Sequence, residues 1–280
     1  MKKYLKMVGN IFMYSIIYFV LQIAAIFAGS IFYAIKYAGK VPNEELVGKI
    51  QEGITQNTFI FVATAAIVTL VIYMLILRNK EENLWQRCKF EKLSVKQYIW
   101  IVLGLISLSF VSSNVVMSTQ HLFKSYEQVS KSIAAGSASF LGAICVLILL
   151  PIFEEVLFRG LIFNELRKHI NIIISVALQA LIFGLFHGNM LQGIYTFFLG
   201  IILAIIYVWS KSIWAPIVGH IVYNIMGIIV FPRILNYSIK FATILIIPGV
   251  IASVGFMIPL YLQYKRSYEE LSNVDASIQS

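Results

Sequence analysis

Charge is what this sequence has least of. Only 12% of its 280 residues are Asp, Glu, Lys or Arg, against roughly 25% in soluble domains, which excludes an ordinary soluble enzyme. Cysteine is scarce too, with two residues. Cys88 falls in a basic loop expected in the cytoplasm and Cys145 inside an apolar block, so neither is placed for a disulfide and no zinc cluster can be built from them. There are no internal repeats, no low-complexity tract and no stretch polar enough to form a separate soluble domain.

What fills the chain is hydrophobic: 59% of residues, with a mean hydropathy of +0.83. The apolar residues come in blocks of about 18 to 24, the length a helix needs to cross a bilayer. Eight such blocks predict an all-α, polytopic membrane bundle: Gly9 to Ile35, Phe59 to Leu77, Tyr98 to Met117, Ala138 to Lys168, Ile170 to Phe186, Leu191 to Trp209, Trp214 to Pro232 and Phe241 to Tyr261. The first reads as an uncleaved signal anchor, because its apolar stretch is long and lacks a small-residue cleavage site. The expected organisation is one transmembrane domain over 1–266, with a core at 138–232 and a disordered cytoplasmic tail over 267–280.

The net charge of +9 raises the question of nucleic acid, and the positions of the charges answer it. Lys2, Lys3 and Lys6 precede the first block, and Arg78, Lys80, Arg87, Lys89, Lys92 and Lys96 crowd the segment between the second and third. The intervening segment 36–57 balances three Lys with three Glu. Basic residues on alternate loops orient a multi-pass chain with its N-terminus in the cytoplasm, and eight crossings bring the C-terminus back to the same side. These short membrane-flanking clusters offer no contiguous basic face for nucleic acid. Residues 44–56 read as a small amphipathic surface helix on the outer side, and His121 and His169 as loop residues at the surface.

The fourth block differs from the others. Its apolar run is followed by Glu154, Glu155 and Arg159 in PIFEEVLFRGLIFNEL, and the simplest completion is one long helix kinked near Pro151. At about 1.5 Å per residue, Glu154 and His187 lie about 23 and 26 Å from the tight turn joining the fourth and fifth blocks, whereas His220 and Asn224 lie about 12 and 18 Å into the seventh. Ionisable groups inside a membrane are costly and face the bundle for a purpose.

Glu155 and Arg159, at i and i+4, can pair on one helix face, leaving Glu154 about 100 degrees round the helix. His220 and Asn224 also share a face. A carboxylate to deprotonate water, with imidazoles and an amide to polarise a carbonyl and hold an oxyanion, is the equipment of hydrolysis. The same carboxylate and imidazoles, Glu154, His187 and His220, are ordinary ligands for a divalent cation such as zinc. Spacing alone does not separate hydrolysis from ion transport. A transporter would, however, carry repeats with broken helices in matching halves, and these motifs lie only in the second half. A non-catalytic immunity or interaction protein that keeps the residues for structure is the other alternative.

These residues resemble the motifs of the CAAX protease and bacteriocin-processing (CPBP, or Abi) family of intramembrane proteases, which includes the type II CAAX prenyl endopeptidase. EExxxR matches Glu154, Glu155 and Arg159; FxxxH matches Phe183 and His187; the third motif matches His220 and Asn224. The likeness covers about 153–224. It implies a helical core with a cavity open to the cytosol, Glu154 as general base, Glu155 with Arg159 in support, and His187, His220 and Asn224 around the oxyanion, by either a metal or a glutamate mechanism. Phe183 reads as a packing residue. An Ile, Lys, Asn and Tyr bias suggests the cytoplasmic membrane of a low-GC Gram-positive bacterium, where proteins are not prenylated. The expected partner is therefore a membrane-associated peptide or small protein, in precursor processing, bacteriocin immunity or surface-protein display.

Overall fold

The computed structural model describes residues 1–235 and 239–279, without the side chains of 239 and 271–279. Every regular element among them is helical. In chain order they are α1 (Lys2–Tyr37), α2 (Asn43–Leu77), the one-turn α3 (Leu84–Cys88), α4 (Val95–Thr119), α5 (Lys124–Gly136), α6 (Phe140–Arg167), α7 (Ile172–Phe186), α8 (Met190–Ser210), α9 (Trp214–Ile234) and α10 (Ile239–Gln279).

Seven of these, α1, α2, α4, α6, α8, α9 and α10, are long and apolar enough to cross a membrane. The chain is thus an all-α, multi-pass membrane bundle. The fifth expected crossing, Ile170 to Phe186, is corrected: α7 has 15 residues, about 22 Å at 1.5 Å per residue, short of a hydrocarbon core of about 30 Å. It ends at Phe186 as expected and starts two residues later than expected, at Ile172, beyond the turn that closes α6. The expected surface helix at 44–56 is the first part of α2, and the loop between the second and third crossings folds in part as α3. Most of the expected tail, residues 271–280, lies outside the described side chains.

The chain falls into two compact units, one made of residues 1–88 and 123–175, the other of 89–122 and 176–280. In the first, α1 and α2 pack where small residues admit aromatic rings. A Cβ on Gly29 would meet the Phe61 ring at 2.7 Å, and one on Gly53 the Tyr33 ring at 2.7 Å. Close approach through glycine is how membrane helices associate without a hydrophobic difference from lipid. The Tyr73 hydroxyl donates to the Tyr14 carbonyl, and Asn57 donates to the Tyr33 hydroxyl at 2.7 Å. The outer face of α1 leaves Phe12, Phe19 and Phe27 exposed, as a lipid-facing surface requires.

In the second unit α10 packs along α4, with Trp100 stacked on Phe256 and Ser253 Oγ donating to the Gly104 carbonyl at 3.3 Å. α9 lies on the same helix, where Ser109 Oγ donates to the Tyr223 carbonyl at 2.9 Å. α7 and α8 meet through glycine, since a Cβ on Gly184 would stand 2.7 Å from the Gly193 carbonyl.

α6 runs unbroken through both motif glutamates to Arg167. The irregularity expected at Pro151 takes the form of a widened turn rather than a break. Residues Cys145–Leu149 are π-helical, and Leu150 N–H donates five residues back to the Cys145 carbonyl. Proline has no N–H, so the preceding turn must place its carbonyls elsewhere, and a wider turn does so. A second π-helical stretch, Val156–Phe163, follows Glu155 directly. A third, Ile225–Val230, follows Asn224.

Candidate active site

Both units contribute residues singled out in the sequence. In the first, α6 carries Glu154, Glu155 and Arg159. Arg159 Nη1 donates to Glu155 Oε1 at 2.8 Å, and both side chains are fully buried. The expected ion pair is therefore formed, and it is formed across the start of the second wide turn. Arg159 also lies within electrostatic reach of Glu154. Glu154 is half-buried. Its preceding residue, Phe153, is packed at 4.3 Å between ring centroids against Tyr18 of α1. The Tyr18 side chain hydrogen-bonds Gln22 and feels the charge of Glu154.

In the second unit Phe183 organises the histidines. Its buried ring meets His187 edge to face at 4.9 Å between centroids, and meets His220 in the same manner at 5.8 Å. Two imidazoles from different helices are thus gathered on one aromatic ring. His187 Nδ1 lies 2.9 Å from the Phe183 carbonyl. A carbonyl only accepts, so Nδ1 carries the proton, and in the neutral ring Nε2 keeps its lone pair. His220 is 3% exposed, whereas His187 and Asn224 are half-buried. Asn224 stands one helical turn beyond His220 on α9.

Beside His187 a cavity lies between α7 and α8, lined by Leu181, Leu185, Gly188, Asn189, Phe197 and Phe198 among others. Its volume is about 610 Å³. Among the described residues no three of His, Cys, Asp and Glu gather into a metal-binding cluster.

The sequence reading overlooked a second polar group on α6. Glu165, 4% exposed, accepts from Asn10 Nδ2 at 2.8 Å and pairs with Arg87. His169, expected at the surface, has its Nε2 3.7 Å from the same carboxylate. Cys88, expected in an open loop, is fully buried, and a Cβ on Gly160 would stand 2.4 Å from its Sγ. The signal was present as one more acidic residue in the fourth block, but its nearness to Arg167 and Lys168 marks it as a helix end. Neither Cys88 nor Cys145 forms a disulfide.

Residues 135–226 match the family described as Type II CAAX prenyl endopeptidase Rce1-like. Two curated relatives are similar. "Putative membrane peptidase YdiL" of Bacillus subtilis (strain 168) is 23% identical over 217 residues, covering 76% of this chain and 85% of the relative. "Membrane-embedded CAAX protease MroQ" of Staphylococcus aureus (strain USA300) is 34% identical over 92 residues, 31% of this chain and 36% of that one. No solved structure matches. EExxxR, FxxxH and HxxxN all lie inside the matched segment, so over residues 135–226 the chain is similar to the Rce1-like family of CAAX prenyl endopeptidases.

Proposed function

We propose that the protein is an intramembrane endopeptidase that hydrolyses a peptide bond in a membrane-associated peptide or small protein. The observation that carries this reading is the buried Glu155–Arg159 pair immediately behind the half-buried Glu154. A guanidinium committed to Glu155 fixes one of two adjacent carboxylates and leaves Glu154, on another face of α6, as the proton acceptor.

In this reading Glu154 takes a proton from water as the water oxygen attacks the scissile carbonyl carbon. The resulting oxyanion is stabilised by His187, His220 and Asn224, groups able to present N–H donors. His187 already donates from Nδ1 to the Phe183 carbonyl, so its part in binding the oxyanion requires the doubly protonated ring. The carbon–nitrogen bond then breaks, and Glu154 returns its proton to the leaving amine. One water is consumed, and one carboxylate and one amine are formed.

A divalent cation such as zinc is a further proposal, with Glu154, His187 and His220 as the side chains that would hold it. It would supply polarisation of the carbonyl or of the water. The substrate is proposed to come from the cytoplasmic side, with both termini of the chain on that side. The Gram-positive sources of the two relatives favour small secreted peptide precursors over prenylated proteins.

The test uses the full chain in liposomes with a library of membrane-inserting peptides, read by mass spectrometry for new termini. Wild type should cleave, and Glu154→Gln should lose at least about a hundredfold of the rate, the usual scale of a general base. Cleavage by Glu154→Gln at the wild-type rate would falsify the mechanism. Loss of wild-type cleavage on chelation, restored by zinc, would assign the cation. A well-folded wild type that cleaves nothing would favour the non-catalytic alternative.

A further inference from the structure

A second buried ion pair lies towards the other end of α6 from Glu154, and the hydrolysis proposed above makes no use of it. Glu165 ties together three elements of the first unit. It accepts from Asn10 of α1 at 2.8 Å, pairs with Arg87 of α3, and itself belongs to α6. The side chains of Arg87 and Glu165 are 9% and 5% exposed. Breaking such a pair strands a charge away from water, which makes it costly to open.

α3 depends on this attachment. It has five residues, far below the length at which a helix holds itself together. Its start is closed by Asn83 and Gln86, whose side chains accept each other's backbone N–H at 3.0 Å. Its end is fastened to α6. Asn164 Nδ2 donates at 2.8 Å to the Arg87 carbonyl and at 3.0 Å to the Gly160 carbonyl. Cys88 Sγ occupies the space that a Gly160 side chain would take.

The attachment lands on a particular place. Gly160 lies within the wide stretch Val156–Phe163 and follows Arg159 directly. π-helical runs of this length are rare because their register is poorer than that of an α-helix, and they persist where surrounding groups hold them. Here the holding groups are Cys88 and Asn164 on one side, with Arg87 and Glu165 securing Cys88.

We propose that α3 is a strap whose Arg87–Glu165 latch holds the wide turn of α6 in register, making Arg87 and Glu165 positioning residues for Glu155 and Arg159. The inference rests on the proposed hydrolysis only for its catalytic consequence. The latch itself can be read without any substrate, because Cys88 reports on it.

The experiment uses the full chain in liposomes and follows alkylation of Cys88 by N-ethylmaleimide. Mass spectrometry of the digested protein separates it from Cys145. Wild type should label slowly. Arg87→Ala and Glu165→Gln should raise the Cys88 rate on the order of a hundredfold, as expected when a buried pair is broken. Arg87→Lys, which keeps the charge, should restore slow labelling. In the peptide assay the two disrupting variants should lower kcat with KM unchanged, and Arg87→Lys should recover kcat.

Labelling at the wild-type rate in both disrupting variants would overturn the latch. Fast labelling with unchanged kcat would overturn the positioning role. Should wild type cleave no peptide, hydrolysis fails as a reading while the labelling rates still decide the latch.

Discussion

His187 Nδ1 donates to the Phe183 carbonyl four residues back, at 2.9 Å, so the histidine of FxxxH is oriented by the backbone of its own motif. The phenylalanine has a second task, since its ring carries both His187 and His220 edge to face. The sequence spacing thus encodes a tautomer as well as a position, and Nε2 is the nitrogen left for chemistry.

That tautomer orders two substitutions. The amide of Gln reaches where Nε2 lies, and the shorter Asn reaches only towards Nδ1. If Nε2 does the work, His187→Gln should keep more activity than His187→Asn, with Asn falling by about a hundredfold or more, the scale of a lost oxyanion partner. The reverse order, with Asn keeping more activity than Gln, measured as kcat in the liposome assay, would instead assign the role to Nδ1 and its backbone bond.

Much of this was legible beforehand. The eight apolar blocks located the helices because period and length are local properties, and Glu155 with Arg159 was legible because an i to i+4 pair lies within one helix. Arg87 with Glu165 was not, since the partners are 78 residues apart and each has a sufficient local explanation, one as a loop cation and the other as a helix end. The wide turns were equally hidden. Pro151 announces a disturbed helix, but whether it bends or widens depends on what packs around it.

Glu155 and Arg159 permit a separation of stability from activity. Removing either partner alone should cost about 3 to 5 kcal/mol, because the other charge stays buried. Replacing both, as Glu155→Met with Arg159→Leu, should recover most of that stability in a detergent melt, since apolar isosteres often match a buried pair. It should not recover hydrolysis. A double variant that cleaves at the wild-type rate would remove the pair from the mechanism.

Cys88 makes the first unit sensitive to alkali. Burial pushes its thiol from an ordinary 9.0 up to about 12, with Arg87 opposing in part. Below pH 9 the thiol is protonated folded or unfolded and adds no pH dependence. Between pH 9 and about 12 the unfolded chain releases a proton that the folded chain keeps, so stability falls as pH rises through that window. The drop in Tm between pH 8 and pH 10.5 should therefore be smaller in Cys88→Ala than in wild type. An identical drop would mean that the thiol is not confined when the protein is folded.

The contact between Cys88 and Gly160 can be tested by exchanging which residue holds the space. A Cβ at Gly160 would stand 2.4 Å from Cys88 Sγ but 3.5 Å from Cys88 Cβ. Gly160→Ala alone therefore overpacks the strap against α6 and should cost about 1 to 3 kcal/mol. Cys88→Ala alone leaves a small void and should cost less. Together they should be more stable than Gly160→Ala alone, because the new methyl group occupies the volume the sulfur vacates. Neighbouring residues that share a space are expected to be non-additive in this way, by about 0.5 to 3 kcal/mol. Additive costs in the melts would mean that α3 yields freely to a larger residue at 160, leaving the wide turn held by Asn164 without the strap.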